Sequence, residues 1–290
     1  MRARMDDVVA EQAPRTDAVK VSVVVPCFNS VATLHEAVRS VQQQTLRDFE
    51  IVLVDDGSTD ATRALIARIA GAHPRVRIEP ILQANAGTAA ARNAGIARAR
   101  GRYVLPLDAD DLIAPTMLER CATLLDSDPE IDIVYCDRED FGDISAIRSA
   151  GSFAVERLKF FNQLGYCSLY RRSLWQAIGG YRTNVSGFDD WDFWIAAAVR
   201  ERKAAHIPEP LFKHRRHAQS QLWRLMPAFE RLHAQIILNN RAAYSEDEVA
   251  MAERYLQNGE SAAMLRSAQF VFRMHYFQDY EARQMERTCG

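Results

Sequence analysis

Val21-Ser-Val-Val-Val-Pro26 is almost purely β-branched, the composition of a strand buried on both faces. Such a strand needs a sheet covered by helices on each side, and the next eighty residues supply one. Pro26-Cys-Phe28-Asn29-Ser30 has turn chemistry, after which Leu34, Ala37, Val38 and Val41 recur at helical spacing up to Gln44. A second strand, Phe49 to Val54, ends in Asp55-Asp56-Gly57-Ser58-Thr59-Asp60. Thr59 or Asp60 can cap the following helix, whose expected apolar face is Ala64, Leu65, Ala67, Ile69 and Ala70. Val76 to Ile81 reads as a third strand, Asn85-Ala-Gly87 as a turn, Thr88 to Arg98 as a small-residue helix, and Tyr103 to Leu107 as a fourth strand. This alternation predicts an α/β fold, an open and mostly parallel sheet flanked by helices. In such sheets ligands bind outside the carboxyl ends of the strands, where the polar and acidic clusters fall here.

Composition narrows the class. The chain has 290 residues, enough for one large domain or one with a small appendage. With 48% hydrophobic and 26% charged residues it can bury a real core. A net charge of −2 without any Lys/Arg block gives no reason to expect a nucleic-acid partner. Cys27, Cys121, Cys136, Cys167 and Cys289 are scattered, which argues against structural zinc and a disulfide framework and for a reducing compartment. No apolar run approaches the roughly 18 residues that span a bilayer. Residues 1–19 lack the apolar middle of a signal peptide and read as a flexible tail. The expected location is cytoplasmic.

The chemistry concentrates in Leu107-Asp108-Ala109-Asp110-Asp111. In extended backbone Asp108 and Asp110 share one face. Two such carboxylates repel each other unless a cation lies between them. Mn²⁺ or Mg²⁺ fits, taking oxygens from one or two carboxylates and from substrate phosphates. The alternative is that Asp108, Asp110 and Asp111 cap the next helix, with Pro115 in its first turn. A nucleotide suits the other clusters. Asp56 can accept a hydrogen bond from a base N–H or ribose hydroxyl, and Arg92 can meet a phosphate or sugar oxygen; helix capping and a surface salt bridge are the competing readings. A dinucleotide fold needs Gly-x-Gly-x-x-Gly in its first turn, and Pro26-Cys-Phe-Asn-Ser has no glycine.

Four segments in order carry a resemblance: Val21–Asn29, Val54-Asp-Asp-Gly-Ser-Thr-Asp60, Asn85-x-Gly87 with Ala91-Arg92-Asn93-x-Gly95, and Leu107–Asp111. Together they resemble the inverting family 2 nucleotide-sugar glycosyltransferases with the GT-A fold, from Val21 to about Gln221. The resemblance implies a GT-A domain over residues 20–221, with a nucleotide half at about 20–111 and an acceptor half at about 112–221. Residues 222–290 are then a C-terminal helical extension. The implied donor-binding set is Pro26, Phe28, Asn29, Asp56, Asn85, Gly87, Arg92, Asp108, Ala109 and Arg215, usually around uridine. The implied metal set is Asp108, Asp110 and His217, with Asp110 binding directly and Asp108 helping through the ribose or a metal-bound water.

Residues 187–194 open a helix whose apolar face is Trp191, Trp194 or Phe193, Ile195 and Ala198. On the residues alone, Asp189 and Asp190 are a cap and an acidic first turn. The resemblance implies instead that Asp190 is the general base on the acceptor hydroxyl, opposite the leaving diphosphate. Asp189 stands where Glu is commoner. A helix N-terminus lowers the basicity of Asp190, whereas burial beside Trp191 or Trp194 raises it. Lys213-His214-Arg215-Arg216-His217-Ala-Gln-Ser220 is either a basic surface loop or, by resemblance, the Tyr-Arg-x-His-x-x-Ser motif with His214 in place of Tyr. In the second case His217 is a third metal ligand and Arg215 pairs with the diphosphate. Ile131 to Tyr135 reads as a strand and Asp137 to Ser152 as a mobile loop near the site. The resemblance puts Tyr166-Cys167-Ser168 and Gly179-Gly180-Tyr181 around an acceptor pocket, although a turn and packing explain the two glycines equally well.

Three helices are expected after residue 221. The first carries the stripe Leu222, Leu225, Met226, Phe229, Leu232 and Ile236, with Pro227 early in it; the others cover Glu246 to Gln257 and Glu260 to Glu286. Packing back on the domain is the default. A homodimer interface or peripheral contact with the inner face of the membrane are the alternatives. The Gln-x-x-Arg-Trp motif of processive synthases is absent, so one sugar per encounter, or short extension, is expected rather than extrusion of a polymer. The expected function is metal-dependent inverting transfer of a sugar from a UDP-sugar to a glycan or polyprenyl-linked acceptor. The alternatives are a catalytically silent nucleotide-sugar-binding module of a glycan assembly complex and a carboxylate-pair glycoside hydrolase, which has no use for Asp56 and Arg92.

Overall fold

A computed structural model of the chain describes residues 19–72, 76–217, 224–259 and 265–269. Its first half follows the alternation: β1 (Val21–Cys27), α1 (Leu34–Gln42), β2 (Phe49–Asp56), α2 (Thr62–Ala72), β3 (Arg77–Gln83), α3 (Thr88–Arg98) and β4 (Tyr103–Pro106). β1 pairs in parallel with β2 and β4, and β2 with β3. The chain therefore winds outward from β1 to β3, then crosses back to β4. That reversal opens a crevice at the carboxyl ends of β1 and β4. Every residue of β2 is buried, as is nearly all of β1, which is why these runs show no polar face. Helix α2 turns Ile66 into the core beside Leu65 and Ile69, while Ala64 and Ala67 of the expected face are exposed.

Helix α3 sits close on the sheet because residue 95 has no side chain. A Cβ on Gly95 would stand 2.4 Å from Val24 Cγ1 and 3.0 Å from Val54 Cγ2. Gly95→Ala should therefore lower stability in denaturant unfolding by about 1–3 kcal/mol, the usual cost of overpacking. Adding Val24→Ala should return much of that loss.

The second half contains β5 (Leu112–Ile113), α4 (Met117–Ser127), β6 (Ile131–Gly142), β7 (Ala146–Arg148), α5 (Val155–Leu158), β8 (Leu169–Arg171), α6 (Arg172–Ile178), α7 (Asp189–Val199) and β9 (Lys203–Arg216). The sheet order is β3-β2-β1-β4-β8-β6-β9-β5, with β7 paired to β6. β8 runs antiparallel to β4 and β6 and joins the parallel half to the rest.

Two expectations fail here for one reason. Residues 137–152 are not a loop: β6 continues to Gly142 and returns as β7. Lys213–Arg216, which the alternative reading made a surface loop, is likewise the end of a fourteen-residue strand. Each strand is ordered by the other, since β6 and β9 pair in parallel from Ile131/Lys203 to Gly142/Arg216. Pro208 hid the strand. It lies in the register shift between the pairs Cys136/Ile207 and Asp137/Pro210, where proline is tolerated.

The helical extension begins with a 3₁₀ turn at Met226–Ala228 carrying Pro227, then α8 (Phe229–Asn239) and α9 (Glu246–Asn258), the latter opened by a Ser245/Glu248 capping box. Phe229, Leu232, Ile236 and Ala252 join the same buried cluster as Trp191, Phe193 and Trp194. The described part of the extension thus packs back on the domain. The expected tail up to residue 18, Ser220, Leu222, and residues 260–264 and 270–286 of the third helix lie outside the described residues; Leu265 and Ala268 are buried in the same core. Among the described residues no helix is long and apolar enough to cross a membrane.

Candidate active site

A cleft of about 820 Å³ runs across the carboxyl ends of the central strands. Every donor-binding, metal and base residue expected from the sequence lines it, from Pro26, Phe28, Asn29 and Asp56 at one end to Asp190, Arg215 and His217. Phe28, half exposed, presents its ring there. Asp56 is buried and accepts from the backbone N–H groups of Ala86 and Gly87, both at 2.9 Å, and from Gln83 Nε2 at 2.7 Å. Asn85 Nδ2 donates to the Asp56 carbonyl. Gly57 lets this turn close: its φ is +72°, and a Cβ would stand 2.6 Å from Asn85 N. Asn29, itself at φ +52°, clamps the same loop by accepting from Thr59 N and Asp60 N.

The acidic triplet is a turn, not extended backbone. β4 ends at Pro106, and Asp111 N donates to Asp108 O at 3.1 Å. Alternation therefore does not aim Asp108 and Asp110; the turn does. Nor do these acids cap a helix, because β5 intervenes and α4 starts from Thr116 without any side-chain cap. Asp111 is buried, accepting from Tyr166 Oη and from Arg215 N. Tyr166 Oη also accepts from Asp108 N, so one hydroxyl ties both ends of the turn.

Arg92 has a different place from the phosphate contact expected of it. Its guanidinium is buried, with Nη2 2.8 Å from Asp108 Oδ1 and Nη1 2.8 Å from Asp189 Oδ2. The Tyr166 and Tyr181 rings cover it. One cation thus joins the turn after β4 to the start of α7.

At the start of α7, neither acid caps the helix; the N-cap is Phe188, without a side-chain bond. Asp189 is buried on Arg92. Asp190 is partly exposed to the cleft and accepts from Asn162 Nδ2 at 2.6 Å. The amide of Asn162 is oriented by Gly165 N, which donates to its Oδ1. Burial first, then the charge of Asp189, raises the Asp190 carboxyl to about 7 against the opposing pull of Arg92 and the helix backbone. Burial prevails over the helix N-terminus. Behind this turn, Trp191 donates Nε1 to Leu158 O and stacks on His233 of α8, with ring centroids 5.1 Å apart. Asp192, also buried, accepts from Arg182, Asn239 and Asn240. The extension therefore braces the helix that carries Asp190.

At the end of β9, Arg215 Nε donates to Asp110 O and Nη2 to Glu36, so this guanidinium also holds the acidic turn. His217 Nε2 lies 3.5 Å from Asp110 Oδ2. Five carboxylates (Asp108, Asp110, Asp111, Asp189, Asp190) line this part of the cleft beside two guanidiniums, Arg92 and Arg215. Among the described residues no group of three or more His, Cys, Asp or Glu side chains is already gathered as a metal cage. The excess negative charge, with one free-facing carboxylate and one imidazole, fits a hard divalent ion that completes its shell with phosphate oxygens.

The model of glycosyl transferase family 2 matches residues 22–182, more than half of the chain. The chain belongs to glycosyl transferase family 2. The glycosyltransferase YwdF of Bacillus subtilis is 30% identical over 201 residues, covering 66% of this chain and 72% of that one. Among solved structures, Staphylococcus aureus TarS 1–349 in complex with UDP-GlcNAc superposes with a TM-score of 0.67 at 21% identity, covering 89% of this chain and 75% of that one. The mannosyltransferase PcManGT of Pyrobaculum calidifontis, in complex with GDP-Man and Mn²⁺, gives 0.63 at 21%, covering 88% and 74%. The fold is that of GT-A glycosyltransferases. Several other curated relatives are much longer, and this chain spans 18% to 36% of their length.

Within this family 2 chain, some site residues had no signal of their own. Asn162 follows Phe160-Phe161 in a segment without a motif, and Arg138 and Arg148 lie where a loop was expected. Of the expected acceptor-pocket residues, Tyr166 lines the cleft, whereas Cys167 and Ser168 are buried. Gly179 ends α6, and Tyr181 N donates to Asn93 Oδ1, so this segment fastens α6 to α3.

Proposed function

We propose that this chain transfers a sugar, with inversion, from a nucleotide-diphosphate donor, most simply a UDP-sugar, to a hydroxyl of a glycan or lipid-linked acceptor in cell-surface polysaccharide or glycoconjugate synthesis. The observation that carries this reading is the single cleft shared by Asp56, Asp110 and Asp190. Phe28 and the loop around Asp56 receive the nucleoside, and the acidic turn takes the diphosphate. Asp190, oriented by Asn162, accepts the proton of the acceptor hydroxyl. That oxygen forms its bond to the anomeric carbon as the bond to the diphosphate oxygen breaks on the opposite face. Asp110 and His217, with Asp108, would hold Mn²⁺ or Mg²⁺, which when bound supplies positive charge to the departing diphosphate. TarS complexes with UDP and UDP-GlcNAc, and the PcManGT complex with GDP-Man and Mn²⁺, support a nucleotide sugar and a divalent ion.

Thermal unfolding tests the donor half. UDP with Mn²⁺ should raise Tm, by the equivalent of about 2.7 kcal/mol at a hundredfold excess over Kd. EDTA should abolish the gain, and Asp110→Asn should lose it without loss of fold. A UDP shift that ignores both EDTA and Asp110→Asn would remove the metal from the reading.

A further inference from the structure

Asp110 and His217 come from remote segments, the turn after β4 and the residue following β9, yet their side chains lie 3.5 Å apart. The next carboxylate along the chain explains how. Asp111 is buried, and both of its oxygens are taken: Oδ1 by the backbone N–H of Arg215 at 2.6 Å, Oδ2 by the Tyr166 hydroxyl. The acidic turn is thus fastened from behind to β9, two residues before His217. The same Tyr166 oxygen accepts from Asp108 N at 3.2 Å, while Asp111 N closes the turn on Asp108 O. One hydroxyl therefore fixes both ends of the turn that presents Asp110. Its only proton goes to Asp111, so it has none to offer a sugar.

The rest of Tyr166 is held separately. Its ring lies over the Arg92 guanidinium, 5.1 Å from centroid to carbon, and meets Phe212 of β9 edge-on. The preceding residue, Gly165, donates its N–H to Asn162 Oδ1 and accepts from Trp194 Nε1 of α7. Removing the hydroxyl leaves these contacts in place.

We propose that Tyr166 is a positioning residue for the divalent ion: acting through Asp111, its hydroxyl presets Asp110 and His217 in a geometry that accepts Mn²⁺ or Mg²⁺. The inference rests on the metal reading of this cleft. Asp111 is not itself a ligand, since both of its oxygens are already engaged. Groups bonded behind metal ligands account for roughly 10–100-fold in affinity, because they fix where the ligand atoms point. Without the hydroxyl, Asp111 Oδ2 is buried with no donor, a cost that movement of the turn relieves.

The test follows free Mn²⁺ by electron paramagnetic resonance as it is titrated into the full chain with UDP, against a UDP blank. Tyr166→Phe should raise the Kd for Mn²⁺ by roughly 10–100-fold, with the Kd for uridine unchanged and cooperative thermal unfolding retained. Asp111→Asn keeps an oxygen for Arg215 N but offers the hydroxyl no carboxylate, and should weaken Mn²⁺ to a similar degree. Because the two groups act as one unit, the double variant should lose no more than the weaker-binding single variant. A hydroxyl that only stabilises the fold would lower Tm and leave Mn²⁺ binding as in the wild type. An unchanged Kd for Mn²⁺ in folded Tyr166→Phe, or fully additive losses in the double variant, overturns the proposal. Should Tyr166→Phe not fold, the Kd of Asp111→Asn for Mn²⁺ decides by the same criterion. A wild type that takes up no Mn²⁺ is a distinct result, seen before any variant is made, and removes the metal reading together with this inference.

Discussion

Asp190→Asn should lower kcat by about 10²–10⁴-fold, the usual contribution of a general base, while leaving the Kd for UDP unchanged. The substitution keeps shape and the acceptor oxygen for Asn162 Nδ2, but removes the site that takes the proton. The pH profile provides a second check. With the Asp190 carboxyl raised to about 7, the base is mostly protonated at pH 5.5 and ionised at pH 8.5. In the wild type kcat/KM should therefore rise with pH and level off above about 8, since each pH unit below the pKa costs about tenfold. Stability should move in the opposite sense. A carboxyl raised on folding favours the folded state while protonated, so its contribution is complete below the unfolded value and disappears as pH rises through about 7. Asp190→Asn is neutral throughout. It should match the wild type in Tm only below about pH 4, the ordinary carboxylate range, and exceed it increasingly up to pH 8.5. Near-normal turnover of this variant would show that another group takes the proton.

Arg92→Met is expected to have the largest effect on stability. Its side chain fits a buried position, but the change leaves Asp108 and Asp189 facing each other's neighbourhood without their shared cation. Removing one partner of a buried ion pair costs roughly 3–5 kcal/mol. For a chain of this size that corresponds to a fall in Tm on the order of ten degrees. The loss should be greater at pH 8 than at pH 5, because burial raises the Asp108 carboxyl and lets it protonate once its cation is gone. Arg92→Lys should lie between wild type and Arg92→Met, because one ammonium cannot span both carboxylates as a planar fork does. Urea unfolding at the two pH values measures this directly. A change under about 1 kcal/mol at pH 8 would mean that Arg92 does not bridge the two segments in solution.

Some parts of the molecule were readable along the chain because local period and burial coincide there. The Val21–Val25 and Phe49–Val54 runs are buried on both faces, so composition alone identifies them as strands. Helix α7 starts at Asp189, as its acidic opening and apolar continuation suggest. Other parts depended on partners remote in sequence. β6 and β9 order one another across about seventy residues, and the register shift that admits Pro208 has no local signature. Asp108 and Asp110 reach the cleft through a turn, although extended backbone was expected.

Sequence by itself determined the α/β alternation, the clustering of acids at strand ends and the family to which those motifs belong. Only the tertiary structure decided how the charges are shared: Arg92 serves Asp108, sixteen residues away, and Asp189, ninety-seven away. It also set Asn162 on Asp190. The physical reason is that burial periodicity is written in neighbouring residues, whereas electrostatic pairing depends on distances through space, which exist only once the sheet has closed its long-range pairs.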